Sequence, residues 1–309
     1  MTDAEVMIVL FAIVIVGYVA GRRGYMGGEF DRRLSSLVID IACPALILSS
    51  TMGGSLPERR LILPLLGISL LTYVLLGVAA VLLPRLLTRR RDERGIVGFA
   101  LMFGNVGFIG YPIVASIFGH EAVFYAAVLN VVNTFAVFTA GTMLLTSRSQ
   151  GLPHSRRGWA RLLSSTPMMA AYLAMIIVAL GIDGVPLVVS QPLMLIGNIT
   201  VPASLLIIGS SMSRLSLRTM MGSTTVYATT LFRLVMLPAT LFVLFRLMGF
   251  DTLAVNINTV VIAMPVATYG TIFCLKTGRD TTLITELTFV TTLLSIVTIP
   301  LLSHFIARA

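Results

Sequence analysis

The chain is a succession of long apolar runs broken by short polar stretches. Ten runs can be drawn, at about 5–21, 34–52, 61–87, 95–118, 122–146, 165–182, 185–212, 220–249, 252–275 and 281–306. Nearly all approach or exceed the roughly 20 residues that a helix needs to cross bilayer hydrocarbon. None alternates apolar and polar positions as the strands of a membrane barrel do. The pattern predicts an all-α integral membrane protein of ten transmembrane helices.

Charge then orients the spans. If the N-terminus lies outside, the loops facing the cytoplasm carry 17 of the 22 Lys and Arg residues and the outside loops carry 4, with Arg233 inside a span. That bias follows the positive-inside rule and predicts both termini outside a cytoplasmic (inner) membrane. The acids of "MTDAEVMIVLF" precede the first run and Arg22 and Arg23 follow it, the reverse of a cleavable signal peptide. A hydrophobic fraction of 57%, a charged fraction of 11% and a mean hydropathy of +0.96 exclude an ordinary soluble domain. The net charge of +9 sits in these short loops, so it is assigned to topology and to the lipid surface, with no nucleic-acid partner. Cys43 and Cys274 lie in separate apolar runs without metal-ligand spacing.

The longest polar stretch, 147–164, follows the fifth span. It reads as a cytoplasmic linker between two five-helix halves, 1–146 and 165–309. Five is odd, so the second half enters the membrane inverted, a plan common among secondary transporters. Two pairs of segments match between the halves. "DIACPALIL" (Asp40 to Leu48) pairs with "NITVPASLL" (Asn198 to Leu206), and "NVGFIGYP" (Asn105 to Pro112) with "NTVVIAMP" (Asn258 to Pro265).

The second pair falls on spans four and nine, and each member should break its helix. Proline removes a backbone donor and crowds the preceding turn. Glycine loosens the dihedrals. Freed backbone groups are tolerated in a membrane only inside protein or beside a water-filled cavity. Pro112 and Pro265 suit the first turn of a second half-helix, whose N–H groups and positive dipole end would favour an anion. Asn105, Gly107, Tyr111, Pro112, Asn258, Pro265, Thr268 and Tyr269 are therefore the candidate substrate-binding residues. For the two tyrosines, packing is an equal alternative.

Ionisable residues within spans are functional candidates by default. Asp40 precedes Pro44 by one turn and reads as a proton-coupling group or as a hydrogen-bonded residue near the interface. Arg233 stays charged and needs a carboxylate, a carbonyl cage or water. It reads as a structural ion pair, as a fixed cation in place of a metal ion, or as an attractor for substrate. Glu286 reads as a coupling group or as an interface residue. Asn130 and Asn133 share a helical face and read as bridges between helices or as substrate contacts. "GHEAVFY", with His120 and Glu121, lacks the second histidine of a zinc-protease motif and reads as an outside loop. No nucleophile elbow, metal cluster or P-loop is present, which argues against an enzyme or an ATP-driven pump.

"GNVGFIGYPIVASIFG" resembles the fourth-helix signature of the auxin efflux carrier family, which includes bacterial malonate and malate permeases. "CPALILSS", "VPASLLIIGSSM", "AMPVATYGTIFC" and "LLSIVTIPLL" resemble its other recurring stretches, and the likeness runs along the whole chain. It implies two inverted repeats with helices four and nine crossing at the substrate. It further implies a scaffold of spans 1, 2, 6 and 7, a transport domain of spans 3–5 and 8–10, a homodimer, and a fold like that of sodium–bile-acid symporters. The expected function is secondary active transport of a small organic anion, a dicarboxylate such as malonate or malate. No cofactor is expected beyond coupling to H+ or Na+. A sodium-coupled symporter of the bile-acid type and a passive anion channel are the alternatives.

Overall fold

Helices fall on each of the ten apolar stretches in the computed structural model, which describes residues 3–52, 57–145, 164–182, 185–214, 223–267, 269–276 and 279–308. No strand forms among those residues. Four helices there are long and apolar enough to cross a membrane: Arg59–Leu87, Leu187–Ser213, Thr224–Leu247 and Thr282–Ile306. A fifth span results if Ala122–Ala136 and Thr139–Leu145, bent by 41° at their junction, are taken together. The remaining apolar helices are shorter, among them Val106–Phe118, Thr166–Leu180 and Thr252–Ile262. The linker 147–164 lies, except for Ser164, outside the described residues.

Among the described residues, four π-helical turns interrupt the α-helices: Val38–Ala42, Val106–Gly110, Val137–Gly141 and Phe232–Met236. Three of them open six residues before a proline, namely Pro44, Pro112 and Pro238. The spacing has a steric cause. A proline ring collides with the carbonyl four residues earlier and cannot donate to it. A wider turn at that place moves the carbonyl aside while the chain stays helical. At Pro44 and Pro238 the helix runs on through the wider turn, and at Pro112 the wider turn opens the second half of span four.

The chain divides into two compact units. The first comprises residues 1–65, 107–131 and 155–215. Its core is the crossing of α1 (Asp3–Arg22) with the helix Thr200–Ser213. The crossing is close because glycine faces backbone from both sides. A Cβ on Gly17 would overlap the Leu206 carbonyl, and one on Gly209 would overlap the Val14 carbonyl. Small residues are what permit backbones to approach in a membrane bundle. Asp31, on α2 (Gly28–Leu37), ties this unit together at one end. Its carboxylate accepts from the Gly27 N–H at 3.0 Å and from the Ser210 hydroxyl at 2.7 Å, and it pairs with Arg214 at 2.7 Å.

The second unit comprises residues 66–106, 132–154 and 216–309. Here too glycine sets the spacing. In the helix Arg94–Met102, Gly98 lies against the Ala80 carbonyl and Gly95 against that of Leu144. Phe99 meets Phe103 at a tilt and Phe273 edge-on, and Tyr73 lies nearly parallel to Phe103 at 6.2 Å. The long helix Thr282–Arg308 packs on the helices Thr224–Leu231, Arg94–Met102, Thr252–Ile262 and Tyr269–Lys276. Both helices that the sequence marks as broken run into this unit.

Candidate functional site

The unwound parts of spans four and nine meet inside the second unit. Span four loses its helix at Phe103, Gly104 and Asn105, and span nine from Ala263 to Ala267. The two segments run antiparallel and pair like a single rung of sheet. The Asn105 N–H donates to the Pro265 carbonyl at 2.8 Å, the Ala267 N–H donates to the Phe103 carbonyl at 3.0 Å, and Gly104 bridges Val266. The Val266 N–H donates to the Thr291 hydroxyl at 3.1 Å, across to the long C-terminal helix. In a medium without water each freed backbone group requires such a partner. The crossing supplies them reciprocally.

Two carbonyls at this place answer to a single side chain. Leu101 lies in the last turn of the first half of span four and Met264 follows the first half of span nine. Arg233 donates from Nη1 to the Leu101 carbonyl at 2.9 Å and from Nε to the Met264 carbonyl at 3.1 Å. It is 1% exposed, the largest fully buried side chain among the described residues. No carboxylate pairs with it among those residues. Carbonyls at helix C-termini carry the negative end of the dipole, so a cation is the group they favour. The guanidinium cannot shed its proton in a protein. A permanent positive charge, with no carboxylate on it among the described residues, therefore stands between the ends of two half-helices. Its third nitrogen, Nη2, makes no hydrogen bond among the described residues and lies against Gly104, where a Cβ would overlap it. Of the three expectations for Arg233, the carbonyl cage is the one observed.

The other sequence-marked residues are dispersed. Asn105 is buried and enters the crossing through its backbone. Pro112 takes the second position of the helix Tyr111–Phe118, whereas Pro265 stands within the unwound stretch, four residues before the helix Tyr269–Lys276. Asn258 is buried one turn ahead of the break and pairs with Thr72. Its amide donates to the Thr72 hydroxyl at 3.1 Å, and that hydroxyl reaches its oxygen at 3.4 Å. Gly107 and Tyr111 belong to the first unit. The Gly107 carbonyl accepts from the Cys43 thiol at 3.6 Å, and the Tyr111 hydroxyl accepts from the Asn130 amide at 2.9 Å, which makes Asn130 a bridge between helices. Asp40 is exposed on its π-turn, 3.5 Å from the Thr166 hydroxyl. Glu286 is half-buried on the last helix and makes no hydrogen bond among the described residues. Thr268 and the side chain of Tyr269 lie outside the described residues.

Sequence reasoning missed Thr72, Thr291, Gly104 as a contact of Arg233, and the carbonyls of Leu101 and Met264. The unsplit "FGN" of span four held a signal for Gly104, since a glycine beside an expected break invites a close neighbour. Backbone carbonyls have no signal, because every residue has one.

Residues 4–303 match the model of a family described as membrane transport protein. The chain is 28% identical over 308 residues to an uncharacterized transporter of Methanocaldococcus jannaschii, covering 97% of this chain and 98% of that one. It is 26% identical over 313 residues to an uncharacterized transporter of Methanothermobacter thermautotrophicus, covering 98% of each.

Proposed function

The chain belongs to the membrane transport protein family and is a multi-pass membrane protein, and from that premise we propose that it is a secondary carrier of a small organic anion. The single observation that carries this reading is Arg233 at the paired breaks. A buried cation with one nitrogen that makes no hydrogen bond among the described residues, set among unwound backbone, fits a carboxylate. A dicarboxylate such as malonate or malate is the substrate class in this reading, held at the crossing near Asn105 and Pro265. The ten apolar stretches then cross the membrane as two inverted five-helix repeats, spans four and nine as broken pairs, in the cytoplasmic membrane with both termini outside.

The composition of the two units supports a division of labour for eight of the ten spans, with spans four and five shared between the units. All described helices of spans 1, 2, 6 and 7 fall in the first unit, and those of spans 3, 8, 9 and 10 fall mainly or wholly in the second. Spans 1, 2, 6 and 7 then form the scaffold, and alternating access moves the rest against them. Arg233 also bears on coupling. Its guanidinium fills the pair of carbonyls that a bound sodium ion would otherwise face, so the reading favours a proton gradient or substrate exchange over sodium at that position. Asp40 and Glu286 are the carboxylates left to couple a proton. A second copy as partner rests on the family resemblance alone.

The test is uptake of labelled malonate into proteoliposomes, with pH and sodium gradients imposed separately. The expected result is saturable uptake with counterflow, indifferent to sodium and lost in Arg233→Met. Flux that neither saturates nor shows counterflow makes the protein a channel. Uptake that requires sodium overturns the role given to Arg233.

A further inference from the structure

Span three, the helix Arg59–Leu87, shows its exposed side as a single stripe. Leu70, Val74, Val78, Val81 and Leu82 are each at least half exposed, and Leu86 is 82% exposed. Their spacing of three or four residues puts them on one helical face. From Leu70 onward that face holds no polar residue until Arg85, which is also exposed. Val74, Val78 and Leu82 cover about 12 Å at about 1.5 Å per residue, close to half of a hydrocarbon core about 30 Å thick. In a multi-pass membrane protein such a face meets acyl chains, and here it ends in a guanidinium group where headgroups begin.

The turn that follows is held in place and leaves three arginines unspent. Residues 84–94 carry five arginines against two acids. Thr88 is buried. Its hydroxyl donates to the Glu93 carboxylate at 2.6 Å and accepts from the Arg90 N–H at 3.2 Å. Arg90 Nη1 donates to the same carboxylate at 3.3 Å. From other parts of the second unit, the Thr225 hydroxyl donates to the Leu87 carbonyl at 3.2 Å and Arg279 donates to the Asp92 carbonyl at 3.4 Å. Glu93 is thus engaged and the backbone is fastened at both ends. Arg85, Arg89 and Arg91 are exposed, and their guanidinium groups make no hydrogen bond or ion pair among the described residues. Only the exposed carboxylate of Asp92 is left to offset them.

An apolar stripe that runs out onto unspent guanidinium groups is complementary to a lipid with an apolar chain and an anionic head. We propose that the stripe of span three and the turn 84–94 form a site for an anionic phospholipid, with its acyl chain along Leu82, Val78 and Val74 and its phosphate on Arg85, Arg89 and Arg91. A zwitterionic lipid offers the same chain, but the cation of its own headgroup opposes the arginines, so the site selects by charge. Topology asks only for a number of positive charges on one side of the membrane. It does not ask for a fastened turn that spends its buried-side acid on Arg90 and leaves three cations at the end of an apolar face. The site makes no use of Arg233 or of the substrate.

The test reads the lipid at the site without any substrate, so it stands apart from the uptake assay: a failure to move malonate leaves it intact. The one tryptophan of the chain, Trp159, is replaced by Phe, and Leu86→Trp places a reporter on the stripe next to Arg85. Val188→Trp serves as reference, because Val188 is 85% exposed and has no Lys or Arg within 20 residues on either side. The protein is reconstituted in bilayers of phosphatidylcholine and phosphatidylglycerol of equal chain length, with one or the other brominated. Quenching of the tryptophan gives the ratio of the two lipids' binding constants at each reporter. At Leu86→Trp the ratio should favour phosphatidylglycerol at least about threefold, and at Val188→Trp it should be about one. Arg85→Gln, Arg89→Gln and Arg91→Gln together should bring the first ratio down to about one. Arg22→Gln, Arg23→Gln and Arg32→Gln together, the same loss of charge at exposed residues of the first unit, should leave it unchanged. With all arginines in place, raising the salt from about 0.1 M to about 0.5 M should lower the preference. A ratio near one with the arginines present, a preference that survives their removal or is indifferent to salt, or an equal loss in both triple variants overturns the proposal.

Discussion

Two arginines anchor buried structure in this protein, and they do so in opposite ways. Arg214 stands at the end of a helix in the first unit with its side chain 42% exposed, and it meets the carboxylate of Asp31, whose side chain is 6% exposed. Ser210 and the Gly27 N–H complete the acceptor's shell. The charges cancel, and the result is a fastening. Arg233, in the second unit, has the same guanidinium and, among the described residues, no carboxylate. Two neutral carbonyls satisfy two of its nitrogens and leave its charge standing. A neutralised ion pair offers a passing anion little. A buried cation held by dipoles offers it most of a unit charge in a medium where the attraction is poorly screened. The difference separates a structural site from a candidate for binding.

The comparison is most directly broken at Arg233 itself. Arg233→Met should abolish transport and leave two buried carbonyls unpaired, with a loss of about 2–5 kcal/mol in stability. Arg233→Lys should keep the charge but not the fork, and so recover part of the stability and a small fraction of the rate. Thermal unfolding in detergent and proteoliposome uptake check both. If Arg233→Met transports normally, the charge is as structural as that of Arg214.

Next in size is Gly104→Ala. The new Cβ must displace the guanidinium and crowds Met264. Overpacking of this kind should cost about 1–3 kcal/mol and lower the transport rate by at least tenfold, about 1.4 kcal/mol in the barrier. Asp31→Asn should behave differently. It keeps one acceptor oxygen, enough for the Gly27 N–H, and puts an amide donor in place of the charged oxygen that faces Ser210 and Arg214. Because Arg214 is half open to solvent, the loss should be only about 1 kcal/mol, visible in melting and absent from the substrate affinity of what remains folded. A clear change in that affinity would erase the contrast between the two sites. The smallest effect is expected for Thr72→Val. Its pair with Asn258 crosses two helices, and membrane hydrogen bonds of that kind contribute about 0.6 kcal/mol. A larger loss, with altered uptake, would move Asn258 from support into the site.

The regular part of the fold was legible because membrane helices obey a one-dimensional rule. A run of apolar residues about 20 long has few alternatives in lipid, and every one of the ten runs carries helix. The breaks were legible for a related reason. Glycine and proline alter the backbone wherever they occur, so "GNVGFIGYP" and "AMPVATYG" announced them without any partner in view. The manner of breaking was less legible. The helix runs on through the π-turns before Pro44 and Pro238 and starts with one before Pro112, whereas Pro265 stands in a stretch that has lost its helix. A proline dictates that one carbonyl must move. The neighbours decide whether the helix absorbs the shift or gives way.

The candidate site shows the same limit more sharply. Arg233, Asn105 and Pro265 were each conspicuous as polar or helix-breaking residues in apolar surroundings, yet nothing in the chain linked position 233 to 101 and 264. Asn105 and Asn258 looked like a matched pair by sequence symmetry. Folded, one contributes its backbone to the crossing and the other pairs with Thr72. The symmetry of the chain did not carry over to equivalent roles.

The sequence by itself determined what depends on single residues and their near neighbours. That covers an all-helical membrane protein, the places where helices fail, and a cation that cannot be discharged. The tertiary structure decided what depends on partners far apart in the chain. The two breaks are distant in sequence and are matched by backbone hydrogen bonds that any residue could make. Arg233 is a bound cation and not half of an ion pair because two helix ends, remote from it along the chain, arrive beside it. Hydropathy and proline report local preference. Which groups satisfy a buried charge is settled only when the helices pack.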